Sequence, residues 1–252
     1  FLIPVVPIGL GFGSYYLAGK NWLLSVLFYS GSAIITLACV LTGSRGGYLA
    51  LFACLLAFFL PSFIWIWKKY ARLRSAMVVS VIVLLISAAF TLTKIPAFQT
   101  RLSSIFAGRE HSSNSFRMNV WMASLEMFKD SWWIGSGVGN EAFRLAYGLY
   151  MTSGYDALGT YCVPLEIACE CGIFGLLIFS FLIIAALARG HLIFWNEKVG
   201  VYRWIILGTS ASIIGLAAHG LVDTVFYRPQ VHFIFWLLIA VIAMDRQESN
   251  SE

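Results

Sequence analysis

The 252-residue chain is 60% hydrophobic and 12% charged, with a formal net charge of +5 and a mean hydropathy of +0.81. Soluble domains carry about 25% charged residues, so the composition excludes a water-soluble globule and predicts a polytopic membrane protein. Lys and Arg concentrate in short loops between apolar runs, which is a membrane-orientation pattern and not a nucleic-acid signal.

A spanning helix needs about 20 mostly apolar residues. In chain order the candidates are 1–18, 22–42, 47–67, 76–93, 160–188, 203–222 and 229–244. Pro4, Pro7, Gly9, Gly11 and Gly13 crowd the first, which is expected to be incomplete or broken, and the last is short. The chain opens at Phe1 inside an apolar run, with no charged n-region or cleavage site, so it is expected to be a fragment lacking its earlier helices. The fold class is all-α, a transmembrane bundle of about seven spans. N-terminal helices occupy 1–93, one large loop occupies 94–158, and C-terminal helices with a short cytoplasmic tail occupy 159–252.

Lys68, Lys69, Arg72 and Arg74 sit between the third and fourth spans, and Arg189, Lys198 and Arg203 between the fifth and sixth. Both loops are expected on the cytoplasmic side. Span parity then puts Ser44–Gly46, the interval 94–158 and Asp223–Arg228 together on the opposite, periplasmic or exoplasmic, face.

In the long loop, Phe116, Val120, Ala123 and Met127 recur at helical spacing, widened by Trp121, Leu125 and Phe128. Ser113 or Asn114 is a candidate cap. The stripe suits either an amphipathic helix on the outer leaflet or a helix packed on the bundle. The run Gly135-x-Gly137-x-Gly139 follows no strand and opens no βαβ unit, so it fails the dinucleotide test and is expected to be a flexible turn by which the loop re-enters the membrane.

Four groups can carry chemistry. Arg45 lies in Thr-Gly-Ser-Arg-Gly-Gly at the outer edge of two spans, where its donor fork suits phosphate or carboxylate, or where it snorkels to the interface. Arg117 stands near a helix N-terminus, where a cation gains nothing from the macrodipole, so it needs an anion from the protein or from a ligand. His219 and Asp223 share a helix face just before Arg228. That trio is either a polar site or, for Asp223 with Arg228, a structural pair pinning a turn. Glu166 and Glu170 also share a face, and can neutralise the arginines, bind a proton or act as a base. Gly172 and Gly175 behind them are expected to permit close helix packing. The five cysteines, in or beside apolar runs, lack a CxxC metal pattern, and no metal or cofactor is expected.

These residues resemble the O-antigen ligase and polymerase superfamily. The resemblance runs over Ser44-Arg45-Gly46, then Arg117-x-x-x-Trp121 with Asp130, Gly135-x-Gly137-x-Gly139 and Phe143, then Glu170-x-Gly172-x-x-Gly175. The ending His219-Gly-Leu-Val-Asp223-Thr-x-x-Tyr227-Arg228-Pro229-Gln230, with Ala157-Leu158 and Val163-Pro164-Leu165-Glu166, is similar to the cyanobacterial IctB-like branch, labelled as bicarbonate transporters. The resemblance implies a multi-pass protein of the bacterial inner membrane with its site facing the periplasm. It implies transfer of a glycan from an undecaprenyl-diphosphate carrier to an acceptor, with membrane lipids as further partners and no nucleic acid. Arg45 and Arg117 match the arginines that hold the diphosphate, and His219, Asp223 and Arg228 complete the expected binding set. Where the ligases have an assisting loop histidine this chain has Tyr161, so Arg117, Tyr161 and Glu166 are the expected catalytic residues, with His219 as another substitute for the histidine. The alternative implied by the branch is a transporter of bicarbonate, or an accessory to inorganic carbon accumulation.

Overall fold

A computed structural model describes residues 2–75, 77–79, 82, 83 and 112–244. Among the described residues all regular structure is helical. In chain order the helices are α1 (Val5–Ala18), α2 (Trp22–Leu41), α3 (Arg45–Lys69), α4 (Ser112–Asp130), α5 (Asn140–Tyr147), α6 (Val163–Trp195), α7 (Arg203–Gly220) and α8 (Pro229–Ala243). Short 3-10 turns cover Ala71–Leu73, Glu197–Tyr202 and Val225–Tyr227. Four segments are long and apolar enough to cross a membrane: Trp22–Leu41, Arg45–Lys69, Val163–Trp195 and Gly200–Gly220. Helices α1 and α8, where the first and last spans were expected, are shorter, at 14 and 15 residues. The expected span 76–93 and the C-terminal tail lie almost wholly outside the described residues.

The bundle centres on α7. Its polar and small face is buried, while helices such as α2 and α6 present Leu, Ile and Phe outward. That inversion suits a chain whose solvent is lipid, where small residues and hydroxyls join helices. A Cβ on Gly208 would strike the Pro7 carbonyl, and Ser212 Oγ donates to Pro4 O at 2.7 Å. Of the two expected outcomes for the first span, α1 is incomplete as a span, at 14 residues, and the prolines do not break it. Pro4 is its N-cap residue and Pro7 lies in its first turn, where the missing N–H costs nothing.

Helices α3 and α7 run antiparallel. Gly46 faces His219, Cys54 faces Gly215 and Trp65 stacks edge-on with Trp204 at 5.3 Å. The two basic loops therefore meet at one end, where Lys68 lies 5.2 Å over Trp195 and Arg203 lies 5.1 Å over Trp65. Arg45, His219 and Arg228 occupy the other end.

Helix α6 is the main departure from expectation. In place of a span over 160–188, it runs 33 residues and is interrupted at Gly172 (φ 67°, ψ −167°). Gly172 is thus a break and not only a packing residue. The segment after α4 lies in that break. Ile173 N–H donates to Trp132 O (2.8 Å), Ser136 N–H to Cys169 O (2.8 Å) and Gly137 N–H to Glu170 O (3.2 Å). At Gly135 (φ 84°) a Cβ would run into the Glu170 carbonyl, and at Gly172 into that of Trp133. The glycine run is a fixed backbone joint where a flexible turn was expected.

Candidate functional site

Arg45 is set by the turn between α2 and α3. Gly43 takes a left-handed φ of 66°, and Ser44 Oγ then accepts from Gly47 N–H at 3.1 Å, capping α3. Arg45 is the first residue of α3, so its charge adds to a helix end that already favours anions. A Cβ on Gly46 would stand 3.1 Å from Val222 and 3.3 Å from His219, so a side chain there would press on the end of α7.

Helix α4 begins at Ser112, a little earlier than its expected caps. Val120, Ala123 and Met127 are buried with Phe143, Tyr147, Ala157 and Cys169, and Phe116 packs against the same cluster. Of the two expected settings, the stripe takes the packed one, while Leu125 stays exposed. Asp130 accepts from Tyr150 Oη at 2.7 Å, tying the end of α4 to the segment after α5. That hydrogen bond, chiefly, pushes the Tyr150 phenol up from its ordinary pKa.

A cavity of about 290 Å³ opens at this end of the bundle, lined by Thr42, Ser44, His219, Asp223 and Arg228 over an apolar floor that includes Ile3 and Leu216. This is near the ~300 Å³ lower bound for small-ligand sites. His219 Nε2 lies 3.9 Å from Asp223 Oδ2, an electrostatic contact too long for a hydrogen bond. Asp223 Oδ1 accepts from Thr224 N–H at 2.8 Å. Among the described residues no ion pair joins Asp223 to Arg228, which corrects the expected structural pair: the i,i+4 neighbour on α7 has the carboxylate instead. Nor does any described carboxylate pair with Arg117. Its charge, like that of Arg228, reaches His219.

Glu166 and Glu170 do not neutralise these arginines. Glu170 Oε1 accepts from Tyr227 Oη at 2.8 Å and from Gly139 N–H at 3.1 Å. Glu166 is 1% exposed, with Thr160 Oγ1 at 3.5 Å from its Oε2. Tyr227 has an exposed ring edge, but its hydroxyl turns inward between the carboxylates. Burial first, then the Glu166 charge and the Glu170 hydrogen bond, push that phenol far up, so it stays a donor. Through Tyr227 the two glutamates grip the turn that carries Arg228 into the cavity. Sequence reasoning passed over Tyr227 and Thr160 as site residues. The phenol directly before Arg228 in Tyr-Arg-Pro was the available signal.

Tyr161 stands apart from the cavity. Its backbone is left-handed (φ 56°), its ring packs edge-on against Phe116 at 5.8 Å, and its hydroxyl makes no hydrogen bond among the described residues. Also among the described residues, no three His, Cys, Asp or Glu side chains converge as a metal would require.

No curated protein matches the chain. The O-antigen ligase family model matches residues 30–180, more than half of its length. The matched stretch contains Arg45, Arg117, Tyr161, Glu166 and Glu170, whereas His219, Asp223 and Arg228, which line the cavity, lie beyond it. With its membrane-crossing helices, that match identifies the chain as a membrane protein belonging to the O-antigen ligase family.

Proposed function

We propose that this protein transfers a glycan from an undecaprenyl-diphosphate carrier to an acceptor at the periplasmic face of the bacterial inner membrane. The observation that carries this reading is the cavity joining His219 and Asp223 to Arg228. Arg45, Arg117 and Arg228 hold the diphosphate, whose charge grows as the sugar leaves. Guanidinium donors suit that task. The acceptor hydroxyl attacks the anomeric carbon, a new carbon–oxygen bond forms, and the bond to the diphosphate breaks with its electron pair going to the departing carrier. His219 takes the hydroxyl proton, and Asp223 stabilises the imidazolium. Of the three substitutes for the missing loop histidine, His219 alone lines the cavity. Glu166 acts through Tyr227 on the turn bearing Arg228, and Tyr161 shapes the support beneath Arg117. The remaining apolar stretch 76–93, with α1 and α8, brings the bundle to about seven spans.

The test reconstitutes the protein in vesicles with a labelled undecaprenyl-diphosphate glycan and follows release of free undecaprenyl diphosphate, a product common to any acceptor. Release that depends on Arg117 is the expected result. The bicarbonate reading came from the branch resemblance, and neither the family match nor the geometry adds to it. Uptake of labelled bicarbonate that requires Arg45 and Arg117, with no carrier released, would overturn the transferase assignment.

A further inference from the structure

The apolar surface that continues from α6 onto the loop after α4 has a specific occupant. We infer that residues 132–138 are seated in the lipid headgroup layer, and that the break at Gly172 marks where α6 enters the hydrocarbon of the bilayer.

The first argument is length. A helix of 33 residues spans roughly 50 Å at ~1.5 Å per residue, against a hydrocarbon core of about 30 Å. From Gly172 to Trp195 the helix covers roughly 35 Å, enough to cross unaided. The residues before Gly172 are surplus. They carry Glu166 and Glu170, which hydrocarbon disfavours, and both are buried in protein.

The second argument is surface continuity. Beyond the break, Phe174, Leu177, Ile178, Phe181 and Ile184 form an exposed apolar face. Trp133 meets Phe174 edge-on at 4.7 Å, and Trp132 O accepts from Ile173 N–H, so the tryptophan pair is held at the level where that face begins. Ile134 and Val138, 77% and 75% exposed, extend it. Tryptophan is enriched at the membrane–water boundary. The loop tolerates this depth because Ser136 and Gly137 spend their N–H groups on Cys169 and Glu170 carbonyls.

The third argument comes from the far end of α6. Arg189 donates to Ile242 O at 2.9 Å and Ala243 O at 3.4 Å, and Trp195 receives the Lys68 ammonium on its ring. Basic and aromatic residues thus close the segment at its other boundary, as snorkelling side chains do.

The test places a nitroxide label at Ile134→Cys and Val138→Cys in vesicles of phosphatidylethanolamine and phosphatidylglycerol. The parent protein sets the background from native cysteines. Both side chains are exposed, so neither change should disturb folding. The ratio of relaxation by molecular oxygen to relaxation by a water-soluble nickel chelate is expected to be several-fold higher at both labels than for free label in water. A ratio equal to that of free label would put the loop in water, and labels that neither reagent reaches would mean protein covers it. Either result would overturn the inference, and neither depends on transferase activity.

Discussion

Arg203 and Arg117 are the same side chain at opposite ends of one bundle, and the protein treats them oppositely. Arg203 is 4% exposed. It donates to Gly200 O at 2.8 Å, Phe194 O at 3.1 Å and Asn196 O at 3.1 Å, with Trp65 beneath its plane. It closes the C-terminal carbonyls of α6 and the turn into α7, a structural use with its donors committed. Arg117 is half-buried with no described carboxylate on it, and Arg228 lines the cavity beside His219. Asp223 sets one carboxylate beside His219 in the cavity without pairing to Arg228, and cations left unpaired near one another are unfavourable unless an anion is bound. Arg203, with its partners in place, supports the fold, whereas among the described residues no carboxylate pairs with Arg117 or Arg228.

Removing Arg203 should break this contrast most severely. Arg203→Ala leaves the buried Phe194 carbonyl without its donor, worth about 1–3 kcal/mol, and two part-buried carbonyls that water can reach, so a loss of about 2–3 kcal/mol in stability is expected by thermal unfolding in detergent. Transfer per folded molecule should be unchanged. Arg117→Ala should do the reverse. It is expected to slow carrier release about 100- to 1,000-fold, as for loss of one transition-state donor at about 2.7–4 kcal/mol, with stability within ~0.5 kcal/mol. Arg117→Lys should retain part of the rate. Equal rates for the two variants would remove the diphosphate clamp from Arg117.

How much of this was legible depends on where the signal resides. Hydropathy located α2, α3, α6 and α7, and the basic loops foretold that Lys68 and Arg203 share an end, because both are side-chain properties repeated along a helix. The break at Gly172 was hidden, since the run from Val163 to Leu192 is mostly apolar despite Glu166 and Glu170, and a glycine in such a run reads as packing. Its cause lies elsewhere in the chain, in backbone hydrogen bonds from residues 132–137, which leave no mark in side-chain pattern. The spacing of His219 and Asp223 was legible for the same reason that the expected Asp223–Arg228 pair failed: a helix fixes i,i+4 neighbours, and a turn such as 224–228 does not. Tyr227 was quoted as part of a motif, yet its carboxylate partners come from α6, far away in sequence.

Tyr227→Phe sharpens the comparison at intermediate scale. It removes the donor to Glu170 while keeping the ring, and hydrogen bonds to charged groups are worth about 1.5–3 kcal/mol. A stability loss of about 2 kcal/mol is expected, with a slower transfer step because the Arg228 turn loosens. Hydrogen exchange at the amides of residues 225–228 should rise in the same variant. Unchanged exchange there, with slowed transfer, would make the phenol a group that touches substrate instead of one that positions Arg228.

The smallest expected effect falls on the residue that sequence reasoning ranked among the catalytic ones. The resemblance led to the expectation that Tyr161 stands in for the family's loop histidine, yet its ring packs against Phe116 and its hydroxyl has no described hydrogen-bond partner. Tyr161→Phe preserves the ring packing and removes only that hydroxyl, so stability should hold within ~0.5 kcal/mol and carrier release within about twofold, or ~0.4 kcal/mol. His219→Gln, keeping a polar side chain in the cavity, should instead lose about 100-fold or more, within the range of general-base catalysis. The opposite ranking would return the proton-accepting role to the histidine's old position in the chain, and would require the segment from Gly159 to Cys162 to turn its phenol toward Arg117 when the carrier binds.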